Sequence, residues 1–94
     1  ALGALRALQE AGKRVPEQVS LFGFDDAPAS AYLSPSLSTV HIPIEAMTAR
    51  AVQQALALAA GERLMAVAAF TGELKLRDSV RACCPTAMAN GCKP

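Results

Sequence analysis

The stretch VSLFGFDDAP, residues 19–28, decides which fold class the sequence predicts. Its first six residues are almost continuously apolar, which is typical of a strand covered on both faces in a parallel sheet. Asp25, Asp26 and Pro28 follow at once, and residues of these types form turns. The stretch therefore predicts a buried strand that ends in a turn.

The segment before this strand predicts an amphipathic helix over residues 1–11. Leu2, Leu5 and Leu8 recur on one side and polar residues on the other, which is the spacing of a helix packed on a flat surface. Gly12 is expected to end the helix, and Pro16 prevents it from resuming. A helix that leads into a buried strand is the unit of an α/β fold.

The rest of the chain continues this pattern. The further predicted elements are a short helix at 29–33, a strand at 37–42, a long helix from Pro43 to Gly61, and extended segments at 67–70 and 73–77. The last of these alternates apolar and charged residues, as an edge strand with one wet face does. Residues 1–79 are thus expected to form an α/β structure with a parallel sheet flanked by helices, followed by a disordered tail at 80–94.

Composition and charge exclude several classes of function. The chain has 94 residues, a net charge of +1 and nine scattered basic residues, so it is at most one domain and nucleic acid is not a predicted partner of this segment. No apolar run approaches the ~20 residues of a membrane span, and no secretion signal opens the chain, so a cytoplasmic location is expected. The start inside a helical pattern, without Met, suggests that an upstream part precedes it.

The sequence contains no recognisable constellation for catalysis, a cofactor or a metal. It lacks a glycine-rich phosphate loop, a nucleophile elbow and a paired-histidine motif. Cys83, Cys84 and Cys92 are odd in number and miss the spacing of a zinc site, which fits a reducing compartment. His41 and Arg77 are expected to be ordinary structural or solvated residues.

The residues after the first strand are the candidate binding site. Ligands of open parallel sheets bind beyond the carboxyl ends of strands, where Phe24, Asp25 and Asp26 stand. A carboxylate there can accept hydrogen bonds from sugar hydroxyls, and an aromatic ring can cover a sugar face. The alternative is that Asp25 or Asp26 caps the short helix near Pro28, which spacing alone favours.

The order of these pieces resembles LacI/GalR-family transcriptional regulators. The matching stretches are ALGALRALQEAGKRVPEQVSLFGFDD, AYLSPSLSTVHIP, the long helix that ends in AAGE, and ELKLRDS. Together they cover residues 1–79 without a large gap. The resemblance implies a partial type I periplasmic-binding-protein-like fold, namely the C-terminal part of a sensor domain. It also implies an N-terminal helix-turn-helix headpiece outside this chain, through which alone DNA would be bound.

The resemblance also implies roles for single residues. Asp25 matches an effector-contacting position and Phe24 the aromatic position beside it, which leaves Asp26 as the expected helix cap. Tyr32 and Leu33 lie in a segment that resembles the family's subunit-contact helix, so a homodimer is implied.

Hinge crossings are expected near His41 and Ile42 and again near Phe70, with the long helix in the headpiece-proximal subdomain. The implied partner is a small-molecule effector, a sugar or a related compound, and its identity stays open. Thr48, Thr71 and Gly72 depart from the usual family pattern, which affects the register of the second crossing. The competing prediction is a fragment of a periplasmic sugar-binding transport protein, which shares the fold.

Overall fold

The computed structural model describes residues 1–66 and 68–83. Its elements in chain order are α1 (Leu2–Glu10), β1 (Phe22–Asp25), a 3-10 helix (Pro28–Tyr32), β2 (Ser38–His41), α2 (Ile44–Ala59) and β3 (Glu73–Lys75). The strands form one sheet in the order β1-β2-β3. β1 and β2 run parallel, with Phe22 opposite Ser38 and Asp25 opposite His41. The predicted α/β fold with parallel strands is confirmed.

Both α-helices end at a glycine, as predicted. Gly12 has a φ of +68° and Gly61 a φ of +75°, in the left-handed region that glycine adopts without strain. At the end of α1, the amide of Lys13 donates to the carbonyl of Leu8 at 2.9 Å, and that of Gly12 donates to Gln9 at 3.0 Å. These two hydrogen bonds form a Schellman motif, and the same pair closes α2.

The side chains that the chain encloses are largely hydroxyls. Among the described residues, Leu5 and Leu37 are the only buried hydrophobic ones, whereas Ser38, Thr39 and Ser79 are fully buried. Phe22 and Phe24 are 44% and 66% exposed, so the expectation that β1 is covered on both faces is wrong for this chain. A sheet is covered on both faces only where helices pack on each side of it. In α1, Leu5 is the only buried residue.

The chain divides into two compact units. Unit 1 consists of Ala1–His41 with Leu74–Pro94, and unit 2 is Ile42–Glu73. Unit 2 contains α2, and no residue of that helix is buried. No helix within the described part of the chain combines the length and apolar run needed to cross a bilayer.

Two predicted segments differ from the structure or lie outside it. Residues 68–70 form no strand, and Val67 is not among the described residues. The predicted edge strand is present as β3, although it is shorter than expected. From residue 84 onward, the predicted disordered tail, with Cys84 and Cys92, lies outside the described residues.

Candidate functional site

Phe24 and Asp25, the two residues predicted to contact an effector, lie at the carboxyl end of β1. Phe24 is 66% exposed, and Asp25 is exposed as well. Within the described part of the chain, the Asp25 carboxylate has no hydrogen-bond or ion-pair partner. The ring and the carboxylate are therefore both available to a ligand, and we call them together the effector surface.

The backbone at this surface has an uncommon conformation. Asp25 has a φ of +82° and Asp26 a φ of +52°, so two consecutive residues other than glycine occupy the left-handed region. Aspartate tolerates this region better than most residues, but each such residue still costs free energy. Contacts elsewhere must hold the pair in place.

Those contacts are made by Asp26. Its backbone N–H donates to Oγ1 of the fully buried Thr39 at 3.2 Å. Its carboxylate accepts a hydrogen bond from Nη1 of Arg77 at 2.8 Å through Oδ1, while Oδ2 lies 3.0 Å from Nδ1 of His41. The Asp26 side chain is 12% exposed. Backbone and side chain are thus both fixed at this one residue.

These contacts correct the prediction that Asp26 caps the short helix. The 3-10 helix begins at Pro28, Ala27 occupies the N-cap position, and no side chain caps the helix. The Asp26 carboxylate cannot serve as that cap because it is directed to Arg77 and His41.

Arg77 is also not the ordinary solvated residue that its alternating segment predicts. Its side chain is 22% exposed, and Nη1 donates to both the Asp26 carboxylate and the carbonyl oxygen of Leu37, each at 2.8 Å. A guanidinium has several donors in a fixed plane, which suits it to joining a carboxylate and a carbonyl. Sequence reasoning missed this residue because its partners lie 51 and 40 positions away.

The pKa of Asp26 reflects these neighbours. The hydrogen bond from Arg77 lowers the pKa of this carboxyl below its ordinary value of 3.8, partial burial opposes the shift, and the contact with His41 adds to it. Asp26 is therefore ionised at neutral pH. It acts as a fixed anion for Arg77 and His41 and does not supply a proton.

The segment that carries Arg77 is itself anchored to the sheet. The amide of Arg77 donates to Oγ of Ser38 at 2.7 Å, and the amide of Ser38 donates to Oγ of Ser79 at 2.8 Å. Ser79 Oγ in turn donates to the carbonyl oxygen of Leu21 at 2.6 Å. This anchoring holds the guanidinium within reach of Asp26.

The predicted hinge residues lie near the points where the chain passes between the two units. His41 and Ile42 stand on either side of the first passage, and Phe70 lies in unit 2 before the second passage at Glu73 and Leu74. His41 also contacts Asp26, which the sequence did not indicate. Motion at these residues stays a prediction.

Tyr32 and Leu33, the predicted subunit-contact residues, follow the effector surface in the chain. Tyr32 is 89% exposed, the highest value among the large hydrophobic residues that the structure describes, and Leu33 is half-buried. An apolar ring this exposed suits contact with another molecule, but that contact stays a prediction.

The effector surface is open to solvent. Depressions in the two units are lined by other residues, among them Gln9 and Lys13 in unit 1 and Gln53 and Arg63 in unit 2. Within residues 1–66 and 68–83, no three histidine, cysteine or acidic side chains come together as a metal site would need.

Comparison with known proteins shows that the chain is similar to one family model and to several transcriptional regulators. The family model described as a periplasmic binding protein-like domain matches residues 1–80. The chain is 40% identical over 80 residues to the HTH-type transcriptional regulator AscG of Escherichia coli K12, a match covering 85% of this chain and 24% of that protein. It is 42% identical over 81 residues to the HTH-type transcriptional regulator GalR of the same organism, covering 85% of this chain and 24% of that protein. The chain thus spans about a quarter of these relatives.

Solved structures show the same similarity. The crystal structure of the E. coli transcriptional repressor AscG matches with a TM-score of 0.69, covering 87% of this chain and 30% of that one. A complex of the transcriptional regulator CelR with cellobiose matches with a TM-score of 0.71 at 32% identity, covering 83% of this chain and 24% of that one.

Proposed function

The chain belongs to the family of periplasmic binding protein-like domains, in the form that LacI/GalR-type regulators carry, and on this premise we propose that it is the effector-sensing part of a DNA-binding transcriptional regulator. The proposed effector is a sugar or a related polyhydroxylated compound. The regulator is a cytoplasmic homodimer that senses its ligand without transforming it. DNA is bound by a headpiece outside this chain.

The observation that carries this proposal is an exposed Phe24 ring next to an Asp25 carboxylate that has no partner among residues 1–66 and 68–83, both at the carboxyl end of β1. An ionised carboxylate accepts hydrogen bonds from adjacent hydroxyls, and charged acceptors form the stronger hydrogen bonds. The aromatic face covers the apolar side of a sugar ring. The cellobiose complex of CelR supports the choice of a sugar.

In the proposed mechanism, the effector shifts the regulator between an operator-binding and a non-binding conformation. It does so only to the extent that it binds one conformation more tightly than the other. The alternative prediction, a piece of a periplasmic transport protein, is not favoured because the matched relatives are transcriptional regulators.

A binding measurement tests the proposed site. Asp25→Asn removes the charge and keeps a residue type that tolerates a positive φ. In the complete polypeptide that contains this chain, we expect the substitution to weaken the binding of cellobiose or glucose by at least about tenfold in calorimetry, since a charged hydrogen bond contributes about 1.5–3 kcal/mol. Operator binding without sugar should persist.

The matched control is Glu17→Gln, which neutralises another exposed carboxylate in unit 1. It should leave sugar affinity unchanged. A variant at Asp25 with a lowered melting temperature and wild-type affinity would contradict the ligand role.

The gene sequence upstream of the codon for Ala1 gives an independent test of the regulator assignment. We expect it to encode a helix-turn-helix segment. A secretion leader without such a segment would exclude a regulator and restore the transport protein.

A further inference from the structure

We propose that Arg77 is a positioning residue for the effector surface: by holding Asp26, it fixes the left-handed turn that presents Phe24 and Asp25 to the ligand. This inference rests on the proposed function as far as the ligand is concerned. The fixing of the turn itself can be tested without any ligand.

The first step of the argument is the unequal distribution of contacts between the two aspartates. Both occupy the left-handed region, but among the described residues only the Asp26 side chain has partners, whereas Asp25 is paired through its backbone with His41. The Asp26 amide and the Asp25 carbonyl belong to one planar peptide unit, so holding that amide restricts ψ of Asp25. A contact that fixes Asp26 therefore also restricts the backbone from which the Asp25 side chain projects.

The second step is that Arg77 is a fixed point. The same Nη1 that binds Asp26 also donates to the Leu37 carbonyl, and the Arg77 amide donates to Ser38 Oγ at 2.7 Å. The guanidinium is thereby attached to the residues that begin β2. The side chain of His41, the other partner of the carboxylate, is 49% exposed, compared with 22% for Arg77.

The third step is the geometry of the Arg77 guanidinium group. A lysine ammonium is a compact charge on a flexible stem, whereas the guanidinium fork presents donors in fixed directions. A lysine at position 77 can keep the charge near Asp26, but its flexible stem does not hold its donors in the fixed directions of the two Nη1 hydrogens. Arginine at this position is thus expected to matter for geometry as well as for charge.

The experiment compares Arg77→Ala, Arg77→Lys and the control Arg81→Ala in the complete polypeptide. Arg81 is an exposed arginine whose backbone amide, not its side chain, makes its contact with Ser20. NMR supplies the readout that does not depend on a ligand. A left-handed residue brings its own amide and Hα hydrogens close together and gives a strong cross-peak between them. The second readout is calorimetric affinity for cellobiose and glucose.

We expect Arg77→Ala to lose the strong cross-peaks of Asp25 and Asp26 and to weaken sugar affinity by about tenfold, the lower end of what a charged hydrogen bond contributes. Arg77→Lys should fall between the wild type and Arg77→Ala, and Arg81→Ala should match the wild type. If Arg77→Ala does not fold, Arg77→Met replaces it, because this change removes the guanidinium while keeping an apolar stem at that position. The same loss of cross-peaks is then expected.

The outcomes separate this inference from the proposed function. Unchanged cross-peaks in Arg77→Ala would overturn the positioning role whatever happens to affinity. Lost cross-peaks with wild-type sugar affinity would show that the turn does not orient the ligand contacts, which also overturns it. A wild type that binds no sugar contradicts the proposed function alone, since the cross-peaks still decide whether Arg77 fixes the turn.

Discussion

The hydroxyl of Ser79 donates a hydrogen bond of 2.6 Å to the carbonyl oxygen of Leu21, 58 positions earlier in the chain. The Ser79 hydroxyl oxygen also accepts a hydrogen bond of 2.8 Å from the amide of Ser38. Ser79 is fully buried, so water does not compete for these partners. A single hydroxyl therefore joins the residues before β1, the start of β2 and the segment after β3.

Replacing Ser79 with alanine should lower the free energy of unfolding of this chain by about 1–3 kcal/mol, because it removes the hydroxyl that accepts from the buried Ser38 amide and donates to the part-buried Leu21 carbonyl. Urea denaturation measures the change. Ser34→Ala is the control, since Ser34 is exposed and only its carbonyl oxygen accepts a hydrogen bond, from Gln9. Equal stability of the two variants would contradict the role given to the Ser79 hydroxyl.

The glycine that ends α1 gives a second prediction. A Cβ at Gly12 would meet no atom within 4 Å, so Gly12→Ala changes only the backbone energy at a φ of +68°. We expect a loss of about 1–2 kcal/mol in the free energy of unfolding. Gly3→Ala, inside α1 and equally open, should instead stabilise by about 1 kcal/mol. If denaturant titrations showed that both substitutions change the free energy of unfolding in the same direction, this explanation would be refuted.

Acid should weaken the contacts of Asp26. Its pKa in the folded state lies below the ordinary value of 3.8, mainly because Arg77 donates a hydrogen bond to it. The resulting stabilisation is fully present above that ordinary value and is lost as the pH falls through the lowered pKa. The melting temperature of Asp26→Asn should therefore lie below that of the wild type at neutral pH and converge with it in acid. If the difference in melting temperature between the two proteins stayed constant from about pH 6 to about pH 2, that result would contradict the ionisation of Asp26.

Self-association should depend on Tyr32. In sedimentation equilibrium we expect the chain to associate, and Tyr32→Glu to shift it toward the monomer, because a charge in an apolar contact loses its hydration. Met65, which is 83% exposed in unit 2, provides the comparison, and Met65→Glu should leave association unchanged. A well-folded wild-type chain that stays monomeric at high concentration would remove Tyr32 from any subunit contact.

The local features of the fold could be predicted from the sequence because their causes are local. The apolar stripe of α2 and the glycines at positions 12 and 61 fix the helices and their ends within a few residues. The apolar run at 19–24 correctly predicts a strand, but it does not predict how exposed that strand is, because exposure depends on what else packs on it. Phe24 accordingly lies at the surface.

The candidate site shows the opposite case. The position of Asp25 at the end of a strand indicates a binding site, but nothing near it in sequence indicates which of the two aspartates is held by other described residues. That distinction depends on Arg77, whose own segment alternates like any edge strand. Only the folded chain brings Arg77 to Asp26, because the anchoring runs through Ser38 and Ser79.

The division of unit 1 into two stretches imposes an order on protein synthesis. The stretch from Leu74 onward leaves the ribosome only after the whole of Ile42–Glu73 has been made, which takes roughly 2–6 seconds at typical elongation rates. During that interval Asp26 and Ser38 have already been synthesised, but their partners Arg77 and Ser79 have not. A nascent chain stalled after Glu73 thus lacks both of these partners, and a chaperone or a protease would meet unit 1 in that state.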